Sequence, residues 1–337
     1  MKAVIQTGYG SPRDVLEVRD IDKPTIGPNQ VLVRVRATSV HADVWHVVSG
    51  FPFVLRLMGS GLRRPTALVP GTDLAGIVEE VGKDVRRLNV GDEVFGESLM
   101  GMQWQNAGAF AEYVAAPEEG LVLKPDNVSF EQAAAVPTAG YIVLINLRGR
   151  AAIQSGQHVL INGAAGGVGS IALQIAKARG ATVTAVDHTD KLDLLRQLGA
   201  DEVIDYTRED CTLGEPRYDL VFDVASTLKL SHSERVLKPD GVVVVIGHDH
   251  YGSVGRRIFG SIPLMVGLMA RSIFDRHLDR PDTSMPDKQQ SMNELRDLLA
   301  SGQLTPVIDR TYPLEQVGEA MQRLQDGRGL GRILLTP

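Results

Sequence analysis

The sequence predicts an α/β chain in which a doubly wound parallel sheet is inserted into a β-rich domain. Three observations carry this. Short strand-like segments punctuated by glycine and proline fill the first third. The middle alternates apolar strand runs with helical periods, the pattern of a parallel sheet with right-handed crossovers. Strand signals then return near the C-terminal end. At 337 residues the chain exceeds one hydrophobic core, so two domains are expected.

Segment 30–37 alternates apolar and charged residues, as a half-buried strand does. Segments 75–82, 90–96 and 108–114 read as further short strands. Between them, 52–70 mixes Leu55, Leu57 and Met58 with Arg56, Arg63 and Arg64, and reads as a loop near a pocket mouth or a surface excursion. In the middle, 158–162, 181–186, 202–205 and 220–223 read as strands, with helices at 169–179 and 192–198. The continuous apolar run 241–247 is expected to be a strand buried on both faces. Strands at 307–309 and 332–335 flank a helix at 314–324, where the chain is expected to rejoin the first domain.

Hydrophobic residues make up 43% and charged residues 23%, an ordinary globular balance. The net charge is −6 and no long basic run occurs, which argues against a nucleic-acid partner. Cys211 is the one cysteine, so the chain has no internal disulfide and no multi-cysteine zinc site. Together with the lack of a secretory pattern at the start, this predicts a cytoplasmic protein. The most apolar stretch, 258–274, holds Pro263, Gly260, Gly267 and Arg271 and falls short of a membrane span, so no stable membrane insertion is expected. It reads as a buried helix or a substrate-pocket wall.

The strongest motif is the segment 162–169, set directly after a strand and directly before a helix. Gly163 and Gly167 make the run glycine-rich, and small residues at Ala164 and Gly166 permit a tight turn and close approach of a pyrophosphate. Gly169 lets the helix pack against the sheet. The helix-start amides around Val168 then face the phosphates. Glycine would be usual at position 164, so this is a variant of the dinucleotide fingerprint. Asp187 lies about 18 residues after Gly169, near the ~20-residue offset of a ribose-binding acid. A carboxylate there would repel a 2′-phosphate, which favours NAD(H). Nearby His188 and Lys191 soften that repulsion and keep NADP(H) as the alternative.

Several blocks in order carry a resemblance: 70–76 (PGTDLAG), 90–96 (VGDEVFG), 131–141 (EQAAAVPTAGY), 198–206 (LGADEVIDY) and 302–309 (GQLTPVID). Together they resemble the medium-chain dehydrogenase/reductase family, in its zinc-independent quinone-oxidoreductase branch, over nearly the whole chain. The resemblance implies a GroES-like catalytic domain (1–121 and 302–337) split around a Rossmann domain (122–301), and commonly a homodimer. It implies that Thr138 lies beside the nicotinamide and Tyr206 near the adenosine. It implies that Val224, Ala225, Gly247 and His248 line the cofactor cleft. Where zinc-dependent relatives place their catalytic metal ligands, this chain holds His41, Thr72 and Ala135, a set too poor in donors for zinc.

The segment 40–46 departs from the branch, which often has Asn at the position of His41 and Asp at that of Val44. His41, Trp45 and His46 are the candidate pocket floor, with either histidine as a proton relay or a structural hydrogen-bonding group. A quinone or an α,β-unsaturated carbonyl accepts hydride without a metal, so such a small-molecule substrate is expected. A metal-independent alcohol dehydrogenase or aldehyde reductase, or a nucleotide-binding protein with little catalysis, stand as alternatives.

Overall fold

The computed structural model describes residues 1–99, 104–247, 257–279, 287–327 and 329–337. Along the chain its strands and helices are β1 (Lys2–Gln6), α1 (Pro12–Val15), β2 (Leu16–Asp20), β3 (Gln30–Val40), α2 (Ala42–Ser49), β4 (Asp73–Val81), β5 (Glu93–Glu97), β6 (Tyr113–Pro117), β7 (Leu121–Leu123), α3 (Phe130–Ala134) and α4 (Pro137–Asn146). There follow β8 (His158–Asn162), α5 (Gly167–Ala178), β9 (Thr182–Asp187), α6 (Leu192–Gln197), β10 (Glu202–Asp205), β11 (Tyr218–Asp223), α7 (Leu230–Val236) and β12 (Leu237–Val245). The last are α8 (Ile262–Arg271), α9 (Lys288–Ala300), β13 (Ile308–Pro313), α10 (Val317–Gln325) and β14 (Arg332–Thr336).

These elements form two units. The first holds Met1–Tyr141 and Asp287–Pro337 with residues 257–260; the second holds the described residues of 142–247 and 261–279. The boundaries differ from the expected breaks at 121 and 302. The reason is α9: its Gln289 side chain donates to the Leu121 carbonyl, and the Ala300 carbonyl accepts from Asn127. Leu295 lies so close over Gly140 that a Cβ there would meet its Cδ2 at 2.6 Å. Both α3 and α9 therefore belong to the β-rich unit.

In the first unit the sheet runs β13-β14-β3-β4-β5-β7, with β6 also paired to β3. β3 is central, so most of its residues are buried; besides Gln30 at its start, the arginines of its alternating pattern, Arg34 and Arg36, keep an outward exposure. The C-terminal β14 runs antiparallel to β3, with Ile333 opposite Val40 and Leu335 opposite Thr38. One core cluster gathers Val4, Val40, Phe110, Leu314, Ile333 and Leu335; another gathers Val31, Val33, Leu74, Val94 and Leu121.

The second unit is a parallel sheet in the order β10-β9-β8-β11-β12. The first strand sits in the middle and the order reverses between β8 and β11, which is where open α/β sheets take ligands. Apolar side chains of α5, Ile171, Leu173 and Ile175, are fully buried. Two expectations fail here. β12 begins earlier than 241 and is the last strand of the sheet among the described residues, and Val244 and Val245 are only half-buried. Helix α8 has no buried residue at all, so 258–274 supplies no buried helix.

Candidate functional site

In the second unit the turn after β8 is built by its glycines. Gly163 adopts φ +79°, open to glycine but strained for other residues. The amides of Gly163 and Ala164 both donate to the Val186 carbonyl, at 3.0 and 3.1 Å, which fastens the turn to β9. Gly166 caps α5 in an extended conformation (φ −75°, ψ 177°). A Cβ on Gly166 would meet nothing nearer than the Gly163 carbonyl at 3.6 Å, whereas a Cβ on Gly169 would lie 2.1 Å from that same oxygen. The helix thus presses on the turn at Gly169 and leaves the turn open at Gly166. Gly167 and Val168, half-buried, form the first helical residues. Ala164 is fully buried, its methyl packed inward in the tight turn. The first amides of a twelve-residue helix, with an open glycine before them, fit a pyrophosphate.

Asp187 ends β9 and is buried. Its Oδ2 accepts from the Ala165 amide at 2.9 Å and its Oδ1 from the His188 amide at 2.8 Å, with the Lys191 ammonium 3.4 Å from Oδ1. The sequence suggested a ribose-binding acid; the structure commits part of its accepting capacity to the turn itself. Tyr206 stands beside it, its amide donating to the Asp187 carbonyl and its ring edge-on to His188. Partial burial, then the charges of Asp187 and Asp205, push the Tyr206 phenol above its usual range, so it is a neutral donor near pH 7.

The far side of the turn is the loop after β11. The Val224 and Ala225 amides both donate to the Asn162 carbonyl, and the Ala225 methyl is the nearest atom a Gly163 Cβ would meet, at 3.0 Å. Ser226 lies in the left-handed region (φ 54°) and its hydroxyl accepts from the Gly247 amide. Beneath them Asp223, fully buried, accepts from Asn162 Nδ2 and the Leu228 amide. Gly163, Val224, Ala225 and Gly247 are thus brought together at the strands' carboxyl ends; His248 lies outside the described residues.

In the first unit Thr138 lies in the first turn of α4 and is buried. Its amide donates to Asp73 Oδ1 at 3.0 Å and its hydroxyl donates to the same oxygen. Asp73 Oδ2 accepts from the Ser39 hydroxyl and from Arg332 Nη2, the latter at 2.7 Å. The Thr72 hydroxyl lies 2.8 Å from His41 Nε2 and 3.5 Å from the Thr138 hydroxyl. His41 caps α2, with Asp43 Oδ2 3.7 Å from its Nδ1. Close by, the buried Glu97 pairs with Lys288, whose ammonium also donates to the Leu99 carbonyl. Burial raises the Glu97 carboxyl, with Lys288 opposing and the Asp73 charge reinforcing.

The three floor candidates separate. His41 joins the hydroxyl cluster. Trp45 is built into the core with Val4, Phe110 and Tyr312, which gives it a packing role. His46 holds the Phe51 carbonyl at 2.8 Å through Nδ1 and closes the turn after α2. Asp73, Ser39, Glu97, Lys288 and Arg332 were missed from sequence. An acid opening the apolar strand 73–78 and an arginine opening 332–335 were the available signals; nothing local marked Lys288.

Burial holds the His41 imidazole below its usual range, with Arg332 acting in the same direction and the Asp73 and Asp43 charges against it. Its folded pKa lies under the unfolded value of about 6.5, so below that pH the unfolded chain binds the extra proton and stability falls as pH drops. His41→Gln is expected to flatten this part of the profile in urea unfolding between pH 7 and 5. An unchanged slope would remove His41 as its source.

The donor set does not fit a catalytic zinc. It offers one imidazole, already bound to Thr72, a hydroxyl and the methyl of Ala135, without a thiolate. Among the described residues no group of three or more His, Cys, Asp or Glu is placed to hold a metal.

Comparisons agree on the relationship. The sequence pattern described as an alcohol dehydrogenase GroES-like domain matches residues 27–126, and that described as a zinc-binding dehydrogenase matches 198–335. The chain is 34% identical to 2-methylene-furan-3-one reductase of Solanum lycopersicum, over 100% of this chain and 79% of that protein. It is 32% identical to a chloroplastic NADPH-dependent alkenal/one oxidoreductase of Arabidopsis thaliana, over 100% and 80%. The quinone oxidoreductase structure from Coxiella burnetii superimposes with a TM-score of 0.79 at 28% identity, covering 100% of this chain and 99% of that one. With its GroES-like unit, its Rossmann-type parallel sheet and these full-length likenesses, the chain belongs to the medium-chain dehydrogenase/reductase family, in its quinone-oxidoreductase-like branch.

Proposed function

We propose that this chain is an NAD(P)H-dependent oxidoreductase that passes hydride to a quinone or an α,β-unsaturated carbonyl. The observation that carries the reading is the turn 163–169: an opening at Gly166 in front of a helix start, in a chain similar along its whole length to a quinone oxidoreductase and an alkenal/one oxidoreductase. When bound, the reduced nicotinamide supplies the hydride from its C4. The protein's part is to bind, orient and exclude water. The amides at Gly166, Gly167 and Val168 take the phosphates; Asp187, Lys191 and Tyr206 take the adenosine ribose. The Thr138 hydroxyl, having spent its hydrogen on Asp73, offers lone pairs to the nicotinamide end. The proton that the reduced acceptor needs comes from water, relayed through His41 and the Thr72 hydroxyl, each of which gives up one proton and takes one back. No step needs a metal.

NAD(H) is the favoured cofactor in this reading, because a carboxylate at the end of β9 would repel a 2′-phosphate. Asp187→Ser is expected to weaken NADH and improve NADPH by roughly 1–2 kcal/mol each, on the scale of one charge-assisted hydrogen bond. Fluorescence titration with both forms checks it, and an unmoved preference would take Asp187 away from the ribose. The Ala165 and Lys191 contacts already made by Asp187 place the effect towards the lower end.

The reading also includes a homodimer formed through the parallel sheet, whose β12 lies at its end, and residence in the cytoplasm. Burial pushes the lone Cys211 thiol up to about 11, which suits an inert side chain and not a redox centre. Among the described residues no helix is long and apolar enough to cross a membrane. The deciding experiment follows NADH and NADPH oxidation against a naphthoquinone, an alkenal and a saturated aldehyde. Faster turnover with the quinone or the alkenal supports the proposal. Preference for the aldehyde would favour an alcohol dehydrogenase, and binding without turnover a nucleotide-binding protein.

A further inference from the structure

The first unit carries an exposed apolar strip. Residues 53–54 are joined to 257–258 by two backbone hydrogen bonds, Phe53 N to the Arg257 carbonyl at 2.8 Å and Val54 N to the Ile258 carbonyl at 3.0 Å. On this joined strip Leu57 is 73% exposed, Leu62 64%, Ile258 59%, Phe259 58% and Phe53 43%. Large apolar side chains so exposed along one strip are uncommon on a surface that meets only water. The strip is also anchored. Arg56 lies over the rings of Tyr9 and Phe53, at 4.1 and 4.6 Å, and donates to the Gly50 carbonyl. The Tyr9 hydroxyl in turn donates to the Ser60 and Gly61 carbonyls.

Its charge has one sign. The chain carries a net −6, yet no acidic residue occurs between Asp43 and Asp73, and none from Arg257 to Phe274. The exposed charges of the strip are Arg63, Arg64 and Arg257. Exposed leucine, isoleucine and phenylalanine beside arginines without carboxylates is the composition of a surface that rests on an anionic bilayer: apolar groups enter the headgroup boundary while guanidinium groups meet the phosphates. A two-fold contact between copies would set Arg63, Arg64 and Arg257 against the same arginines, which disfavours a second copy as the occupant.

We propose that the strip formed by 53–64 and 257–259 docks the protein reversibly on anionic lipid surfaces, without spanning them. This goes beyond the oxidoreductase reading and does not depend on it, since docking needs neither cofactor nor turnover. The test is flotation of the full chain with vesicles of phosphatidylcholine alone and of phosphatidylcholine mixed with phosphatidylglycerol. Binding to the anionic vesicles is expected to exceed that to the neutral ones by about tenfold or more and to weaken as salt rises. Two double variants, Arg63→Glu with Arg64→Glu and Leu57→Ser with Phe259→Ser, are each expected to lose about tenfold in binding with unchanged melting temperature. Wild-type protein that stays free of anionic vesicles at low salt overturns the proposal, as does undiminished binding by both variants. A dimer, followed by light scattering, that dissolves in the Leu57→Ser, Phe259→Ser variant would assign the strip to a second copy and equally overturn it.

Discussion

Gly166→Asp is expected to leave the fold as stable as the wild type while abolishing nicotinamide binding, and Gly169→Ala is expected to destabilise the second unit outright. The two glycines are three residues apart in one motif but face opposite ways. Gly166 is extended and has room for a side chain, and aspartate is among the best residues at a helix N-cap. The substitution therefore costs no packing and gains a favourable interaction with the helix dipole of about 0.3–1 kcal/mol. It also sets a negative charge where the phosphates would sit, and a loss of about a hundredfold or more in affinity, ~3 kcal/mol, is the expected result. At Gly169 a Cβ would lie 2.1 Å from the Gly163 carbonyl and 2.7 Å from Ala164 Cα. Both neighbours are backbone and cannot rotate away, so the helix must shift, at a cost of about 1–3 kcal/mol or more. Thermal melting and calorimetric titration of both variants read the two effects separately. Normal binding by Gly166→Asp would remove the phosphates from this turn, and a normal melting temperature for Gly169→Ala would deny the close packing.

The second large effect is expected at Asp73. Among the described residues its carboxylate and the Ser39 hydroxyl accept from the Arg332 guanidinium, and both charged side chains are buried. Asp73→Ala strands a buried cation and releases the Thr138 hydroxyl and amide, at a cost of about 3–5 kcal/mol. The paired change Asp73→Leu with Arg332→Met removes both charges and is expected to recover most of that loss. Chemical unfolding of the single and double variants gives the coupling. A single change costing under about 1 kcal/mol would mean that the pair is hydrated and contributes little. The same cluster sets the Thr138 hydroxyl, so Asp73→Ala is also expected to raise the Michaelis constant for cofactor in whatever protein remains folded.

The difference between these two sites shows what could be read in advance. The phosphate turn is local: strand, glycines and helix follow one another within 158–178, and their spacing alone restricts what they can form. The ion pair joins residues that lie 259 positions apart in the chain, and the pairing of β3 with β14 on one side and β4 on the other brings Arg332 to Asp73. Trp45 shows the converse case. It stands between two histidines in an unusual segment, which suggested a functional place, but the helical period of α2 turns it into the core. Segment 258–274 was apolar enough to suggest burial, and no residue of its helix is buried, because composition says how much a side chain gains from burial and not whether a partner surface exists.

By itself the sequence determined the α/β class, the order of the parallel strands' elements and the glycine turn, since each is set by periodicity and backbone freedom within a few tens of residues. The tertiary structure decided which unit α3 and α9 join, which histidine meets the hydroxyl cluster, and how Asp73, Arg332, Glu97 and Lys288 are paired. Those outcomes depend on the burial of charges far apart in the chain, where desolvation makes each group's energy a property of its partners and not of its neighbours in sequence.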